Sequence, residues 1–386
     1  MLVSPARRAL VGAVLLDFSV GPLFLWDAFS ASLSRELNVP TTSLSLAYSV
    51  GLAAFTVGVL VGGRLADVVA PRWLALVTGG GVVVGLGATA VAPSLLVLVL
   101  GFGVVLGATT GLGYATAVRV AGTTATKRGG AVALVVSAYA AGAVVLAPVV
   151  DVLLDFLGRV GMFTVLAVVL GVIIACSSVL LPATAPQSRA ASSGVAAVLP
   201  YRIPIVALWA MFLLGSAPAL IAFGHAGQFA RAPELTVVAV LLLNLGNFIG
   251  RLVAGPVADR LGHTPVLHLT AVALVGACSV LAIAEHPAVM LSALLVLGLQ
   301  YGAVSVLTPV AVAVPVPADR FGTAYGIVYS GWGVVGFVGP IAAAWLATAT
   351  SHSAVAGVLI GVAVLFWGAV IWVSTVLRRP TRTVSG

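Results

Sequence analysis

Charge is scarce in this chain: only 7% of its 386 residues are Asp, Glu, Lys or Arg, against 61% apolar. With a mean hydropathy of +1.22, that balance excludes a soluble enzyme or binding domain and makes the chain a polytopic membrane protein. There is a single lysine, Lys127, in Ala-Thr-Lys-Arg-Gly-Gly rather than at the end of a Gly-rich phosphate loop. ATP hydrolysis through a P-loop of this polypeptide is therefore excluded. The two cysteines, Cys176 and Cys278, fall in apolar segments near opposite faces, so they are expected to be buried, inert, unpaired thiols. No Cys/His pair has metal-ligand spacing, and neither a metal nor a cofactor is expected. The net charge of +8 lacks a basic tract interleaved with aromatics, so nucleic acid is not an expected partner. No Ser/His/Asp set or carboxylate pair recurs at facing helix ends, which argues against an enzyme.

What is abundant is glycine, 44 residues, and proline, 20, largely within apolar runs where membrane helices tolerate them. Spans are predicted near 9–33, 43–67, 72–92, 94–121, 127–152, 160–182, 203–229, 234–257, 264–285, 287–315, 320–348 and 353–377, each long enough to cross a bilayer. The run after Arg7 and Arg8 is too long for a cleavable signal and is followed at once by another span. With both termini in the cytoplasm, thirteen arginines and lysines lie inside (Arg7, Arg8, Arg64, Arg72, Lys127, Arg128, Arg189, Arg202, Arg260, Arg320, Arg378, Arg379, Arg382) and three outside (Arg35, Arg159, Arg231). That asymmetry orients the chain in a cell membrane. The Ser/Ala/Pro-rich 183–202 segment reads as a cytoplasmic linker between two six-helix bundles, 1–182 and 203–386.

The halves repeat. Gly62-Gly-Arg-Leu-Ala-Asp67 matches Ala254-Gly-Pro-Val-Ala-Asp259 at an offset of 192, at which Arg128 also falls on Arg320 and Pro148 on Pro340. Twelve spans in a 6+6 repeat with such a loop resemble the major facilitator superfamily: an all-α membrane fold of two six-helix bundles related by pseudo-two-fold symmetry. Val68 and Pro71 depart from the family's loop pattern, while Asp259-Arg260-Leu-Gly262 keeps it better. The resemblance implies gating roles for Asp67, Arg72, Arg128, Asp259, Arg260 and Arg320, whose charges at helix ends would lock one face shut.

One stretch places a cation deep in a span: Asn244-Leu-Gly-Asn-Phe-Ile-Gly-Arg251. Asn244, Asn247 and Arg251 share one helical face, and Gly246, Gly250 and Ala254 form an adjacent face that lets another helix approach closely. A guanidinium at mid-bilayer costs roughly 2.5–3.5 kcal/mol and cannot shed its proton, so an anion should visit Arg251 or stay beside it. Arg119, nearer the cytoplasm, is expected to snorkel, with an anion stepping stone as its other reading. Gly111-Leu-Gly-Tyr114, Lys127-Arg-Gly129, Gly224-His225 and Asn247-(three)-Arg251 together resemble the oxalate:formate antiporters and monocarboxylate transporters. That resemblance makes Arg251 the binder of a substrate carboxylate. Monocarboxylate transporters often carry Asp where this chain has Asn247, and oxalate carriers bring a second cation where it has Trp332. One arginine balances one carboxylate, which favours a small monocarboxylate over oxalate.

A pocket at the interface of the halves is expected to be lined by Trp26, Tyr114, Tyr139, Asn247, Arg251, Tyr301, Tyr329 and Trp332. Tyr and Trp supply an apolar wall with one polar tip. Asp17, Asp27 and His225 are the groups able to carry a proton. Burial disfavours the charged form of a carboxyl, the property that proton coupling needs, and Asp17 can alternatively be a standing partner of Arg251. Asp17 and Asp27 lie roughly 15 Å apart along their helix and are not a pair. The expectation is a secondary carrier of a small organic anion, by proton symport or anion exchange, working as a monomer in the lipid bilayer. Two readings stand beside it. A drug or metabolite exporter of the same fold would look for Gly-Pro in the fifth span, where Leu146-Ala-Pro148 lacks the glycine. A transporter-derived anion sensor would look for a large cytoplasmic domain.

Overall fold

The computed structural model describes residues 4–124, 128–184, 195–317, 320–350 and 352–377; Lys127, Arg189, Arg378, Arg379 and Arg382 lie outside them. Among the described residues every regular element is helical. Eleven helices are long and apolar enough to cross a membrane. One of them, Arg128–Leu180, has 53 residues and would be about 80 Å long if straight, more than twice a hydrocarbon core of about 30 Å. It breaks at Gly158, whose φ of 63° is left-handed and favours a residue without Cβ. The break makes two spans of it, so the described residues hold twelve in all.

In chain order these are α1 (Pro5–Leu37), α2 (Thr41–Val68), α3 (Pro71–Ala90), α4 (Leu95–Thr123), α5 (128–157), α6 (159–180), α7 (Arg202–Ala230), α8 (Thr236–Leu261), α9 (His263–Ile283), α10 (Pro287–Ala313), α11 (Phe321–Ala349) and α12 (His352–Leu377). Both ends of the described chain lie at one face of the bundle, called here the terminal face, and the other is the far face. Prolines start α1, α3 and α10 at positions whose N–H has no helical partner. Ser4 caps α1, its hydroxyl accepting from the N–H of Arg7 at 3.4 Å.

Three helices depart from the regular spans the sequence suggests. α1 passes through a tighter turn at Gly21–Leu25, and α4 widens into a π-helical stretch over Val99–Leu106. α7 leaves helical geometry at His225, with φ −146° and ψ 28°. Cys278 is buried as expected, but Cys176 is exposed on the outer surface of α6, a correction. The two halves meet where α2 packs on α11 and α5 on α8. Small residues set the first seam: a Cβ on Gly333 would lie 2.6 Å from Thr56, and one on Gly336 would lie 2.9 Å from Leu52.

Candidate functional site

Arg251 owes its position to how α8 is built. A Cβ on Gly246 would meet the Leu295 carbonyl oxygen at 2.0 Å, and one on Gly250 the Leu299 oxygen at 2.1 Å. From the other side, Gly298 and Gly302 of α10 leave room for the Leu243 and Asn247 carbonyls, at 2.0 and 2.1 Å. Glycines on both helices thus let the backbones of α8 and α10 touch, the close approach the Gly246/Gly250 face suggests. The opposite side of α8 then faces the first half.

There the guanidinium spans the interface. Nε of Arg251 donates to Oδ1 of Asn247 at 2.9 Å, and Nη1 donates to the Val136 carbonyl of α5 at 3.0 Å. The guanidinium carbon is 5.9 Å from the ring centres of Tyr139 and Tyr301, one from each half. Arg251 is 4% exposed, and no carboxylate forms an ion pair with it among the described residues. An amide oxygen, a backbone carbonyl and two aromatic rings surround the charge.

Around it lies a cavity lined by Phe24, Phe55, Tyr114, Tyr139, Phe212, Arg251, Tyr301, Ser305, Tyr325, Tyr329 and Trp332. About 20 Å³ is open to the centre of a water molecule, room for about one water. The aromatic walls must therefore part before an organic acid fits. Trp332 donates to the Tyr301 hydroxyl at 2.9 Å and packs 5.5 Å from Phe55 across the interface. The Tyr139 hydroxyl and Nδ2 of Asn247 are buried without a hydrogen-bond partner among the described residues. A donor left so is costly unless something else accepts from it.

Of the expected lining, Tyr114, Tyr139, Arg251, Tyr301, Tyr329 and Trp332 come together here. Asn247 stands behind Arg251 and orients it. Trp26 is a correction: its ring packs against Phe29, Tyr48 and Phe102, away from the cavity. The tight turn before it resets the helical phase, so Phe24 takes the lining position. Phe55, Phe212, Tyr325 and Ser305 were not anticipated. Tyr325 and Tyr329 lie four apart in the same stretch as Trp332, a helical spacing that signals their shared face.

Toward the far face the route is shut. Ser19 through Asp27 of α1 and Gly215 through Gly227 of α7 are all buried. Phe24 stacks on Phe223 at 4.2 Å, and the Phe24 carbonyl accepts from Nδ2 of Asn244 at 3.3 Å. Asp27 accepts the N–H of Gly227 on Oδ2 at 2.7 Å and the Ser30 hydroxyl on Oδ1 at 3.3 Å. The break at His225 turns that N–H toward α1. His225 itself approaches the Pro340 carbonyl of α11 at 3.2 Å. Asp17 is wholly buried in α1, and neither of its carboxylate oxygens has a hydrogen-bond partner among the described residues.

Toward the terminal face, Tyr114, Arg119, Phe321 and Tyr325 are only half-buried. Of the residues expected to gate, the side chains of Asp67 and Arg128 lie outside the described residues. Arg72, Asp259 and Arg260 are exposed, and the backbone N–H of Arg72 donates to Pro182 at 3.2 Å. Arg320 is half-buried with its guanidinium 5.9 Å from the ring of Tyr201. Among the described residues no three His, Cys, Asp or Glu side chains gather as metal ligands would.

The model of the family described as Major Facilitator Superfamily matches residues 10–230 and 205–385. An uncharacterised MFS-type transporter of Escherichia coli K12, YhjX, is 23% identical over 338 residues, 84% of each chain. Among solved structures, a mutant form of the nucleoside transporter NupG superposes with a TM-score of 0.70 over 96% of this chain and 100% of its own. At 14% identity that likeness concerns the fold.

Proposed function

Because the chain belongs to the major facilitator superfamily and is built as a transporter of that fold, we propose that it carries a small organic anion, a monocarboxylate, with Arg251 as the clamp. The observation that carries this reading is a buried guanidinium between two tyrosine faces with no carboxylate paired to it among the described residues. A neutral substrate would leave that charge unanswered, and a dicarboxylate would bring one charge too many. The Tyr139 hydroxyl, unpartnered among the described residues, together with the tyrosine and tryptophan tips around the cavity, supplies hydrogen bonds to the rest of a carboxyl group. The phenylalanines face the short hydrocarbon part.

Transport follows from the asymmetry of the two faces. With both termini cytoplasmic, the far face is the outside, closed by the α1 and α7 contacts around Phe24, Phe223 and Asp27. The half-buried terminal side is the route to the cytoplasm. The 183–202 segment joins bundles 1–182 and 203–386, which rock about the α2/α11 and α5/α8 seams. Asp67, Arg72, Arg128, Asp259, Arg260 and Arg320 would steady the cytoplasmic face when it closes. Gradients supply the driving force, as proton symport or as anion exchange, with Asp17, Asp27 and His225 as the groups able to hold a proton. The test is a binding panel read by tryptophan fluorescence, which Trp332 in the cavity wall reports. Lactate, pyruvate and formate should quench or shift it competitively, while oxalate and uridine should not. Saturable binding of uridine but of no monocarboxylate would overturn the reading.

A further inference from the structure

A second open space lies on the outer surface of the first half, between α3 and α6. Leu76, Gly80, Val83 and Val84 of α3 and Gly171 and Ala175 of α6 line it, and about 380 Å³ is open there against about 20 Å³ around Arg251. An occupant can enter without rearrangement. The helices touch along its floor: a Cβ on Gly171 would lie 2.7 Å from Cγ2 of Val83, and one on Gly79 would lie 3.1 Å from Cγ2 of Ile174. Gly80 faces the opening, where a Cβ would meet nothing within 4 Å. No side chain of the lining carries a polar atom, so the groove offers water no partner and suits hydrocarbon.

One end of the groove is charged. Arg72 stands one turn before Leu76, and Arg72, Leu76, Gly80 and Val83 follow one stripe of α3. Its guanidinium is exposed and makes no hydrogen bond or ion pair among the described residues, while its backbone N–H ties the start of α3 to the Pro182 carbonyl at 3.2 Å. On the other wall, Nη2 of Arg8 donates to the Val179 carbonyl, one turn beyond Ala175 on α6. Both guanidinium groups therefore stand toward the terminal face. Trp73, 60% exposed in the first turn of α3, sits at the same level, where indoles favour the boundary between hydrocarbon and headgroups. Around this end Arg7, Arg8, Arg64 and Arg72 are all exposed, and the acid beside them in the sequence is Asp67.

We propose that the α3/α6 groove holds one acyl chain of an anionic phospholipid from the terminal-face leaflet, with the lipid phosphate on Arg72 and Arg8. The groove runs about 12 Å along α3 from Leu76 to Val84 and begins about 6 Å inside Arg72. That order and length match a lipid standing in one leaflet, whose hydrocarbon is about 15 Å deep. Guanidinium groups bind phosphate through paired hydrogen bonds. A zwitterionic headgroup would bring its own ammonium into a cluster that is already positive, so a net negative lipid is preferred, by about fivefold for each arginine. The bound lipid bridges the start of α3 and the end of α6 and stabilises the first half by mass action. The site is separate from Arg251 and does not depend on what the carrier transports.

The experiment is native mass spectrometry with thermal unfolding of the purified full-length protein in detergent, titrated with phosphatidylglycerol or with phosphatidylcholine of the same chains. Phosphatidylglycerol should be retained as one tightly held lipid per protein and raise the melting temperature, and phosphatidylcholine should do both more weakly. Arg8→Gln combined with Arg72→Gln should abolish the preference, whereas Arg202→Gln, at an exposed arginine of the second half on the same face, should keep it. Gly80→Leu should fill the groove and lose the tightly held lipid, with a melting temperature in lipid-free detergent no lower than that of the native protein. Ala175→Leu should do the same from the other wall. Equal retention of the two lipids, a preference that survives the double arginine change, or a tightly held lipid undisturbed by both leucine variants overturns the proposal. So does a dimer of the native protein that Gly80→Leu dissociates, because a second copy is then the occupant.

Discussion

Replacing Gly302 with alanine asks how much of the site depends on the seam between α8 and α10. The added Cβ would lie 2.1 Å from the Asn247 carbonyl oxygen and 3.0 Å from the Arg251 nitrogen. Ordinary contact between carbon and oxygen begins about 1 Å farther out, and both partners are backbone, which cannot rotate away. α8 and α10 must therefore separate by about 1 Å, and overpacking of this kind costs about 1–3 kcal/mol. The residues displaced are Asn247 and Arg251 themselves. A misplacement of about 1 Å in a positioning group reduces function by up to about a hundredfold. Gly255→Ala in α8 is the control, because a Cβ there meets nothing within 4 Å. It should be neutral or stabilise by up to about 1 kcal/mol through helix propensity. Thermal unfolding of the two purified variants, followed by acid binding, makes the comparison. Equal melting temperatures and equal affinities for Gly302→Ala and Gly255→Ala would refute the claim that backbone contact across this seam sets the site.

Asp27→Ala removes the acceptor of the Gly227 N–H, leaving a buried donor unpaired at about 1–3 kcal/mol. It should shift the carrier toward the far-open form, seen as faster hydrogen exchange of the buried α1 and α7 amides around Gly227. Trp332→Phe loses the 2.9 Å hydrogen bond to Tyr301 but keeps the ring, and should weaken acid binding about fivefold at about 1 kcal/mol with the melting temperature little changed. Arg159→Ala removes a 2.7 Å ion pair to Glu36 and a 3.0 Å bond to the Ala92 carbonyl at the end of α3. Glu36 is exposed, so the ion pair itself contributes at most about 1 kcal/mol and should fade at high salt. A modest loss of thermal stability with unchanged acid affinity is the expected result.

The twelve spans were legible because hydropathy and length decide what can cross a bilayer, and the repeat was legible because Asp67/Asp259 and Pro148/Pro340 keep one offset. The close approach of α8 was readable from Gly246 and Gly250, since only small residues permit it. What stayed hidden depends on local backbone geometry. The tight turn at Gly21–Leu25 exchanges Phe24 for Trp26 at the cavity, and an apolar run does not announce such a turn. The break at His225 aims the Gly227 N–H at Asp27, a contact across 200 residues that no spacing rule reaches. Phe55 and Phe212 were hidden for another reason: an aromatic in a membrane helix looks the same whether it faces lipid, a neighbour or a site. Cys176 likewise reads as any small apolar residue, and only the packing of α6 leaves it outside.

The role proposed for Arg251 is to bind the carboxylate of the transported acid. The most direct measurement is counterflow of radiolabelled lactate or pyruvate in proteoliposomes for the native protein, Arg251→Lys and Arg251→Ala, each checked for folding by thermal unfolding. Lysine keeps the charge but cannot hold both Asn247 and Val136 as the guanidinium does, so Arg251→Lys should retain weak counterflow. Arg251→Ala should have none. Counterflow in folded Arg251→Ala equal to that of the native protein would contradict the account.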